Sequence, residues 1–131
     1  MTIEMLSLLV FLSMFAALLL FQPLLLARAR GVHYVMGNRD DGPGQDHPAI
    51  GRLARTVNNS IEAAVLFVPL VLAAQLLGVS NMLTQYGAIS FVAARLAYAV
   101  LYPLGVKGLR TLAWNAGLAS LVAIGLGLAF A

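Results

Sequence analysis

The chain has no cysteine. Its fold therefore carries no disulfide, and any thiol chemistry must use a thiol brought in from outside. Charge is scarce as well: Asp, Glu, Lys and Arg make up 10% of the 131 residues, against about a quarter in soluble proteins. With 61% hydrophobic residues and a positive mean hydropathy, that scarcity excludes an ordinary soluble domain and indicates a bilayer protein. The formal net charge is +3, but no basic groove with interleaved aromatics accompanies it, so nucleic acid is not an expected partner.

What is present is four apolar blocks, each near the roughly 20 residues that a helix needs to cross about 30 Å of hydrocarbon. The sequence predicts an all-α, antiparallel four-helix integral membrane bundle in one membrane domain over 1–131, with helices over about 5–27, 49–77, 82–102 and 109–130. The first block carries Glu4 and no Lys or Arg before it, and it is too long for a signal h-region, so it reads as a retained span. Between the first two helices lies a polar loop over about 28–48, where Gly31, Gly37, Gly42, Pro43, Gly44 and Pro48 break any periodic pattern. The short Val79–Asn81 connection forces the second and third helices into an antiparallel hairpin. Pro23, beside Gln22, and Pro69 are expected to mark bends.

Orientation follows from the basic residues. Arg28, Arg30, Arg39, Arg52 and Arg55 flank or occupy the first connection and Lys107 and Arg110 the third, whereas Gly78–Asn81 holds none. By the positive-inside rule the long first loop is cytoplasmic and both termini lie on the opposite side of a multi-pass protein.

Function is sought where charge enters the hydrocarbon. An ionised side chain at the bilayer centre costs at least about 2.5 to 3.5 kcal/mol unless it is paired or wet. Glu62 in the second helix and Arg95 in the third therefore require partners, and their similar depths predict a contact between them. Arg52, Arg55, Asn59 and Glu62 fall within a stripe roughly 80° wide, and Arg95, Tyr98 and Tyr102 within roughly 60°. Such a surface suits a small polyanion that also carries a cation: arginines for carboxylates, Glu62 for an ammonium, Asn59 and tyrosine hydroxyls for amides. A tripeptide such as glutathione has those groups. Taken singly, Arg52 and Arg55 read as a headgroup-facing pair, Tyr98 and Tyr102 as belt aromatics, and Glu62 with Arg95 as a structural ion pair. Their conjunction on two faces near one membrane side favours a ligand surface.

The pattern R-x-x-R-x-x-x-N-x-x-E at Arg52, Arg55, Asn59 and Glu62, followed by an apolar run with Phe67 and Pro69, resembles the signature of the MAPEG family (membrane-associated proteins in eicosanoid and glutathione metabolism). The resemblance extends to the four-helix plan, the long first loop, Arg95, Tyr98 and Tyr102 on the third helix, and Arg110 near the start of the fourth. It implies a homotrimer that binds glutathione as co-substrate between subunits and takes a lipophilic substrate from the bilayer. Carried over, it implies that Arg52, Arg55, Asn59, Glu62, Arg95 and Tyr98 bind glutathione. Arg110, facing the sulfur, and Tyr102 would be catalytic. Thr56 stands where the family commonly has alanine, and either Arg28 or Arg30 matches the family's first-helix arginine.

Other residues receive plainer readings. His33 and His47 lack a second ligand at metal spacing and read as solvated loop histidines; Asp40, Asp41 and Asp46 read as turn residues. Trp114 reads as a packing residue, with an interface anchor or a wall of the hydrophobic-substrate site as alternatives. Three function classes follow: a glutathione-dependent membrane transferase or peroxidase, a non-catalytic lipid-binding or scaffold protein of the same fold, and a four-helix drug/proton exporter. The last fits least, because Glu62 lies in the second helix beside an arginine-rich stripe. The sequence leaves open the hydrophobic substrate and the choice among conjugation, peroxide reduction and isomerisation.

Overall fold

The computed structural model describes residues 1–40 and 47–131. Among these the chain is all-helical: α1 (Ile3–Arg30), α2 (Val32–Met36), α3 (Pro48–Leu77), α4 (Met82–Leu101) and α5 (Leu109–Ala129). The turns expected over 41–46 lie outside the described residues. Three helices, α1, α3 and α5, are long and apolar enough to cross a membrane. The expectation of four such spans is thus met for three. Helix α4 has 20 residues, but Thr84, Gln85, Ser90, Arg95 and Tyr98 lower its apolar character.

Local chemistry sets the helix ends. Thr2 begins α1 by accepting the Met5 N–H at 3.3 Å, and the helix passes through Pro23 and ends at Gly31, whose φ is 86°. It runs beyond the expected end at residue 27. One further turn, α2, forms within the expected loop, and the Arg30 guanidinium lies 4.5 Å from the Tyr34 ring centroid across Gly31. His47 is a cap rather than a plain loop histidine: its Nδ1 accepts the Ala49 N–H at 3.2 Å, and Pro48 follows where a missing N–H costs nothing. Helix α3 ends on Gly78 in the left-handed region. Asn81 then opens α4 with a reciprocal capping box to Thr84.

Helices α4 and α5 form the most extensive pair, and α1 packs across α3 and α4. Gly87 permits the α4–α5 approach, since a Cβ there would stand 2.7 Å from the Ile124 side chain and 3.1 Å from the Ser120 carbonyl oxygen. At the centre, Phe11, Phe67 and Phe91 are essentially fully buried. Phe67 and Phe91 stack at 4.0 Å, and Phe11 meets both at 5.4–5.5 Å. Each such pair contributes about 0.5 to 1.5 kcal/mol beyond its area. In lipid, where apolar burial drives association little, close packing of this kind holds helices together.

A polar cluster sits at the end of the bundle that holds the α3–α4 turn. The fully buried Glu4 carboxylate accepts from Ser80 Oγ at 3.0 Å and Thr84 Oγ1 at 2.5 Å. Gln75 Nε2 donates to Thr2 Oγ1, and Asn81 Nδ2 donates to the Gly127 carbonyl at 2.8 Å. These bonds tie the start of α1 to the α3–α4 turn and to the end of α5.

Candidate functional site

The other end of the bundle brings together the stripes expected on α3 and α4 with the start of α5. Arg95 is the key side chain. It is 3% exposed, and its Nη2 donates to Asn59 Oδ1 at 2.7 Å. The Asn59 Nδ2 donates in turn to Glu62 Oε2 at 3.3 Å. The expected link between Glu62 and Arg95 therefore runs through the Asn59 amide, which offers its oxygen to the cation and its nitrogen to the anion. Asn59 lies on the same α3 face as Glu62, three residues away, so one helix turn supplies the relay.

Arg95 is held further by aromatic contact. Its guanidinium lies 4.8 Å from the Tyr98 ring centroid, and its stem passes Gly117 of α5. Its buried Nε has no hydrogen-bond partner among the described residues. A buried charged donor left in that condition costs at least about 1 to 3 kcal/mol.

A second cluster adjoins this one. Tyr98 and Tyr102 stack at 5.3 Å, as one-turn spacing on α4 allows. Arg55 Nε donates to Tyr102 Oη at 3.1 Å, and the Arg110 guanidinium lies 4.8 Å from the Tyr102 ring centroid. Tyr102 thus joins α3 to the beginning of α5 and keeps two cations near one ring.

Two adjoining pockets open onto these residues. One, of about 240 Å³, is lined by Asn59, Tyr98, Tyr102, Arg110, Thr111 and Trp114. The other, of about 180 Å³, has Asn59, Glu62 and Arg95 on its polar side and is otherwise mainly apolar. Asn59 and Trp114 line both.

Not every expected residue faces these pockets. Arg52 turns toward the α4–α5 connection, where its Nη1 is 3.4 Å from the Pro103 carbonyl oxygen it donates to. Gly105 accommodates it: a Cβ there would collide with the guanidinium, and its φ of 77° also favours glycine. Arg28 is exposed and Arg30 lies against Tyr34, so neither α1 arginine lines either pocket. Trp114, by contrast, stands at the junction. The sequence reads it as a packing residue; its i,i+4 spacing from Arg110 is the signal that could have found this position.

The arrangement presents three guanidinium groups, a carboxylate, an amide and phenol groups beside an apolar chamber. No curated protein and no solved structure matches the chain. The model of the MAPEG family matches residues 7–130. With three helices long and apolar enough to cross a bilayer and nearly its whole length matched, the chain is a membrane protein of the MAPEG family.

Proposed function

We propose that the chain is a glutathione-dependent membrane transferase or peroxidase that acts on lipophilic electrophiles through an arginine-stabilised glutathione thiolate. One observation carries the reading: Arg95, buried and fixed by Asn59, keeps an Nε unpartnered among the described residues, beside a pocket that Glu62 also lines. A ligand carboxylate would satisfy the cation, and a ligand ammonium would meet Glu62. Tyr98, Arg55 and Asn59 complete the polar contacts, Arg52 braces the connection that carries Arg110, and Arg110 with Tyr102 faces the sulfur.

Family membership supports glutathione as co-substrate. Arg55 and Glu62 are exposed in the single chain, which suits a homotrimer whose neighbouring subunit covers them and makes each site composite. Helix α4 would cross the bilayer as a fourth span, shielded by α1 and α5, and the basic residues would put the site on the cytoplasmic side with both termini opposite.

Calorimetry with glutathione in mild detergent, together with thiol-dependent turnover of several electrophiles and lipid peroxides, tests the proposal. Saturable binding with turnover is expected. Binding without turnover would overturn the catalytic reading and identify a non-catalytic member of the fold, and the absence of both would overturn the reading as a whole.

A further inference from the structure

We propose that a groove between α1, α3 and α4 holds an acyl chain of an anionic phospholipid, whose phosphate is taken by Arg52 with Arg28 and Lys107 beside it. This goes beyond the transferase reading and does not depend on it.

Shape is the first ground. The groove measures about 320 Å³, and every residue that lines it is apolar, among them Leu18, Phe21 and Leu25 of α1, Leu53 of α3, and Pro103 and Leu104 just after α4. It shares no residue with the two pockets of the candidate site. From Leu18 to Leu25 it follows α1 for about 10 Å, which is about two-thirds of one leaflet's half of the hydrocarbon. An apolar cavity of roughly 150 Å³ takes one benzene molecule, so this groove has room for about a dozen chain carbons. Phe21, Val100 and Leu104 are all exposed, which leaves the groove open in the single chain.

Charge is the second ground, and it separates a lipid from another helix as the occupant. Arg28 lies one turn past Leu25 and continues the face of α1 that carries Leu18, Phe21 and Leu25, all four within about 80°. Arg52 stands on α3 between Ala49 and Leu53, which both line the groove. Its guanidinium reaches Pro103, another lining residue, through Nη1 at 3.4 Å. That long bond is the only one it makes among the described residues, so most of its planar fork is left for an anion. Lys107 follows three residues after Leu104 and is exposed, as Arg28 is. Three cations from three segments thus gather toward one end of an apolar groove. A phosphodiester with its chain in the groove meets both demands. The apolar face of a helix from a second copy would cover the cations and supply no negative charge.

Native mass spectrometry of the full-length protein in mild detergent, titrated with phosphatidylglycerol or with phosphatidylcholine of the same chains, reads the site directly. One phosphatidylglycerol per chain should bind saturably, about tenfold or more tighter than phosphatidylcholine. Arg52→Gln should remove most of that preference and leave phosphatidylcholine binding as it was, and Lys107→Gln should reduce the preference by a smaller factor. Ala99→Phe, which fills the groove from α4, should weaken both lipids about tenfold or more. Should Ala99→Phe not fold, Val100→Phe at the exposed rim serves the same purpose. Equal affinity for the two lipids, unsaturable uptake, or undiminished binding in the filled variant would overturn the proposal. Inorganic phosphate binding as tightly as the lipid would show that a free anion suffices, and would overturn the groove. A wild type that carries no lipid, with an assembly that Ala99→Phe breaks, would make the groove a contact between copies and overturn the proposal.

Discussion

Arg95 and Asn59 meet at 2.7 Å, guanidinium to amide oxygen, and this contact connects a buried cation on α4 to an exposed carboxylate on α3 without the two charges touching. The Asn59 amide nitrogen reaches Glu62 at 3.3 Å. The relay predicts that Asn59→Ala, which strands Arg95, and Glu62→Gln, which keeps shape but loses charge, both weaken glutathione binding. A ligand at about 100 times its dissociation constant stabilises its protein by about 2.7 kcal/mol. A thermal melt with and without glutathione reads that gain; an equal rise in wild type and Glu62→Gln would remove Glu62 from the ligand contacts.

Arg110 should govern rate more than affinity. A thiol of pKa near 8.5 is only about 3% thiolate at pH 7, and lowering its pKa to about 6.5 is worth about 2.7 kcal/mol and yields roughly three-quarters thiolate. The weaker basicity offsets part of that gain. Arg110→Ala is expected to retain glutathione binding, to lose most activity at pH 7 and to recover part of it at higher pH as the thiol ionises unaided. Arg110→Lys should fall between, because it keeps the charge and loses the planar fork. An Arg110→Ala enzyme with unchanged rate and pH profile would assign Arg110 to the headgroup region.

Assembly is accessible to native mass spectrometry in mild detergent. A trimer is expected, because Arg55 and Glu62 need a facing surface. Monomers alone would contradict composite sites.

The opposite end of the bundle should affect stability and leave the ligand alone. Thr84→Val keeps the shape and deletes the hydroxyl that donates to buried Glu4 and takes part in the α4 cap. A loss of about 1 to 3 kcal/mol is expected from an unsatisfied buried acceptor, seen as a lower melting temperature with unchanged glutathione affinity. Altered affinity would show that the two ends are coupled.

The long helices were legible because apolar run length and the Gly78 and Asn81 signals are local properties of the sequence. The stripes were legible for a similar reason, since helical spacing fixes which side chains share a face. What escaped depended on distance or detail. Glu4 reads as an ordinary first-turn acid, and its partners Ser80 and Thr84 stand 76 and 80 residues away. The role of Asn59 as intermediary depends on a separation between α3 and α4 that no periodicity supplies. The direction taken by Arg52 depends on the Pro103–Gly105 turn, and the α2 turn formed inside a glycine-rich stretch where no amphipathic pattern marks it.

The layer of Phe11, Phe67 and Phe91 has a consequence for transport. The core around these rings consists of Leu8, Val71, Ala88, Val92, Leu121 and Ile124, with the Glu4 cluster on one side and the Arg95 cluster on the other. It works as a dielectric septum. A proton relay needs polar groups within hydrogen-bond reach along its length, and the side chains of this layer offer none. Glu62 and the buried Glu4 are thereby kept apart by an apolar layer within the chain.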